Sequence, residues 1–339
     1  MIRTALLSFW HVHAPIYGRQ AQANSALELV AAWDADAERG RAGAAELGID
    51  FVASLDEVLA DPTIEAVICQ TPTRDHREVI ERALRAGKHV FSDKVLAATA
   101  SDAAYLIDLA GEVGRVLYVG LPNLAHDYTR TFAQLLAAGA IGRLVTMRAV
   151  NAHGRAVSGE LPPGFFSLEE SQGGALIDLC HALYLVPVLA GERPRGVYAT
   201  MSHLTSRAVE DNAAVTLTFP SGAIGLVEAT FASESTPFAL EAHGTEGSIR
   251  FVAEVDPSGT GAPAGAEVVV RRHDEVAFRS VALAAPGPLP VDDFAAHLVA
   301  GTPARANLEV ALLLSELNDA AYRSAVQRRE IDLAAEPTQ

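Results

Sequence analysis

The first 120 residues alternate apolar runs of strand length with helical stretches, and this restricts the fold more than any other feature of the chain. Arg3–Ser8, Glu28–Trp33, Ala66–Gln70, His89–Ser92 and Val116–Gly120 read as strands. A helical stretch running to about Asn24 follows the first of these, and Ala37–Leu47, Arg74–Ala86 and Ala100–Val113 also read as helices. Gly48, Gly87 and Gly114 stop three helices, and Ser54 with Glu57 makes a capping box that starts another, ending at Asp61-Pro62. Strands that are apolar throughout and joined by helices demand a parallel sheet buried on both faces.

Beyond Pro122 the rhythm changes. Asp127–Ala138 reads as a helix, Leu144–Asn151 as a strand, and residues 152–172 as a long loop rich in Gly and Pro. A helix over Ala175–Ala190 leads into seven runs of strand character: Val197–Leu204, Ala213–Phe219, Ala223–Phe231, Phe238–His243, Ser248–Phe251, Glu267–Arg271 and Val276–Leu283. Between two of them, VTLTF-PSG-AIGLVEATF is a hairpin signal. Residues 256–266 read as a loop by composition, and Val291–Ala300 and Asn307–Val326 as closing helices. The expectation is an α/β chain with a doubly wound parallel domain over 1–121. An α/β domain over 122–339 would carry a large open, mostly antiparallel sheet.

Composition narrows the function classes. A net charge of −16 argues against nucleic-acid binding and against attraction to anionic membranes. Two cysteines, Cys69 and Cys180, both in apolar surroundings, exclude a disulfide scaffold and make a cytoplasmic location the default expectation. Only two of the 26 basic residues are lysines, Lys88 and Lys94. A partly buried lysine can have its pKa moved, whereas arginine keeps its proton, so a lysine in an arginine-dominated chain is a candidate for chemistry.

In a doubly wound sheet, ligands bind beyond the carboxyl ends of the strands. Those ends carry Ser8-Phe9-Trp10-His11-Val12-His13, Trp33-Asp34, Gln70-Thr71-Pro72-Thr73 and Ser92-Asp93-Lys94-Val95. Asp34 stands where an acidic side chain accepts hydrogen bonds from an adenosine ribose and repels a 2′-phosphate, which favours NAD over NADP. Alternatively it caps the following helix, as Asp36 also could.

The segments LELVAAWDADAERG, AVICQTPTRDH, GKHVFSDKVLA, GGALIDLCHALYL, EDNAAVTLTFPSGAIGLVEATF, GTEGSIRF and NDAAYRSAVQRREIDL, in that order, resemble the Gfo/Idh/MocA oxidoreductases. The resemblance covers nearly the whole chain. It implies a Rossmann domain followed by an α/β domain whose open sheet builds a homodimer or homotetramer. It also implies a pyridine nucleotide as cofactor and a small polyhydroxylated substrate, a sugar, cyclitol or related polyol.

Residue by residue, Lys94 matches the lysine of the family's E-K-P motif, and Asp178 and His181 match its D-x-G-x-H pair. Thr71 and Pro72 match the residues beneath the nicotinamide ribose, and His76 a histidine at the start of the next helix. In the chemistry this implies, His181 takes the hydroxyl proton, Lys94 stabilises the developing alkoxide, and Asp178 orients the imidazole or binds a substrate hydroxyl. Lys94 and His181 are expected to converge on one nicotinamide carbon.

The sequence departs from the family pattern at four places. Ser8, Trp10 and His13 occupy all three positions of the G-x-G-x-x-G fingerprint, leaving Ser8, Trp10 and His11 as the residues expected to meet the cofactor. The Asp178–His181 spacing is one residue short. Val95 stands for proline, and Pro122-Asn123-Leu124 lacks an arginine. His11 and His13 form an H-x-H pair, but the sequence places no third ligand, so no metal site is read from it. The leading expectation is a dehydrogenase. The alternatives are an epimerase or lyase that retains NAD through transient oxidation, and a noncatalytic binding subunit that lost its dinucleotide site.

Overall fold

The computed structural model describes residues 1–233, 238–254 and 264–334. Most of the loop read at 256–266 lies outside these. The described chain forms two compact units.

The first unit is built on six strands, β1 Ile2–Leu7, β2 Leu27–Trp33, β3 Asp50–Phe51, β4 Ala66–Cys69, β5 His89–Ser92 and β6 Leu117–Val119. All are parallel, in the order β3-β2-β1-β4-β5-β6, so the strand order reverses at the β1/β4 boundary. A crevice opens beyond the carboxyl ends of strands at such a reversal. β4 is buried throughout, as a central parallel strand must be. Helix starts follow their capping chemistry: Asp36, Ser54 and Thr99 each accept a main-chain N–H from the first turn of the helix they precede. The two-residue β3 escaped the sequence pattern because it is too short to show alternation.

This unit extends beyond a cut at residue 121, taking in Glu169–Gln172 and Pro288–Ser315 as well. The helix Pro290–Ala300 buries Val291, Phe294 and Ala295 in the core beneath the sheet, where Phe294 meets Phe91 edge to face at 5.8 Å. Burying such a phenylalanine contributes about 2–3 kcal/mol, enough to hold a distant segment here. Asn307 completes the join. Its side-chain amide accepts from the Val119 N–H and donates to the Val119 carbonyl, both at 2.8 Å, as a neighbouring strand would at the β6 edge.

The second unit holds a nine-stranded sheet: β7 Leu144–Ala152, β8 Gly196–Ser202, β9 Asn212–Thr218, β10 Ile224–Thr230, β11 Ala239–Gly244, β12 Gly247–Glu254, β13 Ala264–Arg272, β14 Arg279–Ser280 and β15 Ile331–Asp332. Its order is β14-β13-β12-β11-β7-β10-β9-β8-β15, antiparallel except for β7 with β10. The hairpin read at Val215–Phe231 is β9–β10, with Thr218 opposite Ile224. Of the strand read at Val276–Leu283 only Arg279–Ser280 pairs. One face packs under the helix His181–Ala190. On the other, Tyr198, Ile224 and Leu226 are exposed, flanked by the Arg148–Glu228 ion pair. The long loop read at 152–172 is broken by short turns of helix at Arg155–Ser158, Pro163–Phe166 and Leu168–Ser171.

No helix among the described residues is long and apolar enough to cross a membrane.

Candidate active site

The first unit's candidate residues lie at the carboxyl ends of β1, β2, β4 and β5. Ser8 takes the left-handed conformation, φ +77°, that a fingerprint glycine would adopt without cost. A serine there costs roughly 1 kcal/mol, and its hydroxyl offsets this locally. The hydroxyl donates to Asp34 Oδ2 at 3.1 Å and accepts the Trp10 N–H at 3.1 Å.

Asp34 is more committed than its position suggested. Its carboxylate also accepts the Phe9 N–H at 2.6 Å and the Asp36 N–H at 2.8 Å, and the Arg39 guanidinium grips both oxygens at 2.9 and 2.6 Å. Two oxygens offer about four lone-pair sites, so five donors saturate them. Asp34 is 2% exposed, whereas the Arg39 side chain keeps 35% of its surface. The carboxyl end of β2 therefore presents a guanidinium, with the carboxylate behind it. Arg39 went unread because an arginine three residues beyond a helix N-cap looks like solvated surface.

The β1–helix turn differs from a glycine cradle in a second way. In the first turn of Ala14–Ala23, the His13 N–H donates to His11 Nδ1 and the Ala14 N–H to the His11 carbonyl, while Pro15 has no N–H. The His13 and Ala14 amides, at the helix start that a Rossmann fold turns to a diphosphate, are spent locally. Trp10 is 7% exposed, and its indole N–H donates to Glu170 Oε2 at 2.7 Å.

At the end of β5 lies Asp93, 1% exposed. Its Oδ1 accepts the Lys94 N–H at 2.8 Å. Its Oδ2 stands 3.0 Å from Nδ1 of His11 and 3.0 Å from Nδ1 of His13. Burial works to raise the Asp93 carboxyl, but the two imidazoles more than offset it and hold it well below the usual carboxylate range. Burial pushes the His13 imidazole down, and the Asp93 charge pulls it back up in part. Lys94 is 4% exposed at this strand end, and the Lys94–Val95 peptide is cis.

The two lysines thus part company. Lys88 donates to the Asp61 and Ile64 carbonyls at 2.6 and 2.7 Å, at the opposite end of β5 from Lys94.

Thr71 is 3% exposed with its hydroxyl 3.3 Å from the Cys69 thiol, which burial raises to about 11, and Pro72 is the N-cap of Thr73–Arg85. His76, read as a cofactor contact, is 2% exposed. Its Nδ1 lies 2.9 Å from the Val95 carbonyl and its Nε2 3.1 Å from the Thr71 carbonyl. It joins the β4 and β5 loops, and burial lowers its pKa. Ser8, Asp34 and His76 therefore all have partners inside the unit. The reason is common to all three: a polar atom at a buried strand end must be satisfied whether or not a ligand is bound.

In the second unit the helix read at Ala175–Ala190 is two helices, Ala175–Asp178 and His181–Ala190, separated by Leu179-Cys180. Asp178 ends the first and His181 begins the second, so the pair sits at a break and not along one helical face. Both are partly exposed while their neighbours from Gly173 to Ile177 and from Ala182 to Pro187 are buried. His181 Nδ1 lies 3.1 Å from the Tyr184 hydroxyl, which also accepts the Asn123 N–H at 3.2 Å.

The segment leading to Asp178 is anchored by Glu210, unnoticed in the sequence because it falls between two strand patterns. Its carboxylate accepts the Gly174 N–H at 3.0 Å, the Leu176 N–H at 3.1 Å and the Tyr322 hydroxyl at 2.6 Å. A Cβ on Gly174 would come within 1.9 Å of the Glu210 carbonyl oxygen, so only glycine permits this approach. In the loop read at 152–172, His153 stacks on Phe231 at 5.1 Å, and Phe166 lies under the Arg207 guanidinium at 3.9 Å.

Comparison with known proteins fits this arrangement. Residues 11–121 match the model of the oxidoreductase family with an NAD-binding Rossmann fold, and residues 129–250 the GFO/IDH/MocA C-terminal domain. A 1,5-anhydro-D-fructose reductase from Ensifer adhaerens is 35% identical over 246 residues, 69% of this chain and 71% of that one. An inositol 2-dehydrogenase from Rhizobium meliloti is 25% identical over 336 residues, 94% and 96% of the two chains. The fold of a levoglucosan dehydrogenase solved with NADH and levoglucosan superposes with a TM-score of 0.83 at 22% identity, covering 98% of this chain and 99% of that one. With the β1/β4 reversal, the open mixed sheet and these matches together, the chain belongs to the Gfo/Idh/MocA family of nicotinamide-dependent oxidoreductases.

Proposed function

We propose that the chain transfers hydride between a nicotinamide dinucleotide and a secondary hydroxyl of a sugar, cyclitol or related polyol. One observation carries the reading: Lys94, one of two lysines in the chain, is buried at the carboxyl end of β5 in a sheet with dinucleotide-binding strand order. The relatives named for anhydrofructose and inositol supply the substrate class.

A bound nicotinamide supplies the hydride acceptor or donor. Lys94 holds an ammonium for the alkoxide that develops as hydride departs. His181 takes the hydroxyl proton, and Asp178 fixes its ring or a neighbouring substrate hydroxyl. Thr71 and Pro72 line the ribose side, and Trp10 and His11 border the rebuilt diphosphate turn. Two features fit the cofactor, the strand reversal and the partly exposed Arg39; the glycine cradle and its free amides are replaced by side chains. Because Arg39 neutralises Asp34, a 2′-phosphate meets a guanidinium and no bare carboxylate, so we expect NADP to be accepted along with NAD. The open face bearing Tyr198, Ile224 and Leu226 supports a homodimer or homotetramer, and the two free, buried cysteines support a cytoplasmic location.

The test is nicotinamide absorbance with NAD and NADP against a panel of sugars and cyclitols. Lys94→Met should lower kcat by roughly 10²–10⁴-fold while leaving the melting temperature within a few degrees. His181→Ala should do the same. Turnover unchanged in Lys94→Met would sink the assignment, as would a wild-type chain that binds neither dinucleotide.

A further inference from the structure

We propose that His11, His13 and Asp93 form a binding site for a divalent transition-metal ion of the zinc class, at the turn between β1 and the helix Ala14–Ala23. The proposal does not depend on the redox reaction above. The H-x-H pair alone offers two ligands; folding brings the third from 80 residues away. The three side chains each offer one donor atom, and these atoms all lie within 4.8 Å of one another.

The spacing suits an ion. Asp93 Oδ2 is 3.0 Å from both Nδ1 atoms. Donors about 2.0–2.2 Å from a common zinc stand about 3.0–3.5 Å apart. Asp93 Oδ1 is occupied by the Lys94 N–H at 2.8 Å, which turns Oδ2 to the histidines. The orientation of the His11 ring adds a second argument. Its Nδ1 lies 3.0 Å from Asp93 Oδ2, so the ring nitrogen is turned into the cluster. A ring nitrogen and a carboxylate oxygen this close require a proton or a cation between them. A metal ion ligated by both, and by His13, supplies that charge. Two imidazoles and one carboxylate select zinc, cobalt or ferrous iron over magnesium or calcium, and three protein ligands leave a position open to water or an anion. At this turn such an ion would place positive charge where the spent first-turn amides no longer supply it.

The test uses the full chain, stripped with a chelator and dialysed. Cobalt(II) titration should give visible absorption saturating at about one ion per chain, bleached by zinc, and elemental analysis should agree. His13→Ala and His11→Gln should each weaken uptake at least about tenfold with the circular dichroism unchanged. Crystals of the unmutated chain soaked in zinc should give an anomalous peak bounded by the three side chains, which keeps the proposal testable if a variant misfolds. A stripped chain that takes up no cobalt or zinc holds this cluster with protons alone and overturns the proposal. Uptake unchanged in both variants, or a peak elsewhere, overturns it equally.

Discussion

Both units bury carboxylates next to their candidate chemistry, and they stabilise them by different means. The first unit uses charged partners: Arg39 on Asp34, and the imidazoles of His11 and His13 on Asp93. The second uses neutral dipoles. Glu210 is held by Gly174, Leu176 and Tyr322, and Asp211 by the Leu204 and Thr205 N–H groups and the Thr205 hydroxyl. An arginine partner cannot be titrated away. Dipoles depend on geometry, and here they leave the two neighbouring acids shifted in opposite directions. Burial raises Glu210 despite its donors, whereas for Asp211 the donors overcome burial and lower it.

If charge pairing in the first unit is the stronger device, the costliest change should be Arg39→Ala. It strands a buried carboxylate with neutral donors only, and should lower unfolding free energy by about 3 kcal/mol in urea. A loss under about 1 kcal/mol would show that the three remaining contacts to Asp34 suffice, and the contrast between the units would collapse.

Tyr322→Phe removes one neutral donor from Glu210 and should cost about 1.5 kcal/mol. Because that donor helps fix Gly174, it should also lower kcat more than it raises KM. Loss of stability alone, with kcat intact, would separate the Glu210 anchor from the positioning of Asp178 and His181.

The smallest effects concern pH. Asp211, with its folded pKa depressed, contributes stability that is present above its ordinary value of about 3.9 and lost as pH falls through the folded value. Glu210, with its folded pKa raised, contributes stability present below its ordinary value of about 4.3 and lost as pH rises through the folded value. Relative to wild type, Asp211→Asn should therefore become less damaging as pH falls, and Glu210→Gln less damaging as pH rises. Denaturant midpoints of both variants between about pH 3 and 7 would read the two slopes, and slopes of the same sign would refute the opposed shifts.

The fold was legible where periodicity is long. Ala37–Leu47 and the β9–β10 hairpin stand as the pattern predicted, because apolar spacing and turn residues there act over a few neighbours. The two-residue β3 and the break at Leu179-Cys180 were not, since neither changes the local pattern. At the candidate site, residue types were readable and partners were not. Asp34 has the right identity and strand-end position for a ribose contact, yet its five donors come from Ser8, Phe9, Asp36 and Arg39. No spacing rule counts how many donors a carboxylate has already accepted.

The sequence by itself determined the alternation that builds a parallel sheet, the strand ends at which ligands can bind, and the loss of all three fingerprint glycines. These are local properties, fixed by side-chain periodicity and by backbone freedom at single residues. Only the tertiary structure decided that Pro288–Ser315 joins the first unit, that Arg39 covers Asp34, and that Asp93 meets His11 and His13. Each is a contact between residues brought together by burial, and a buried polar group takes whichever partner the fold delivers, however far along the chain it lies.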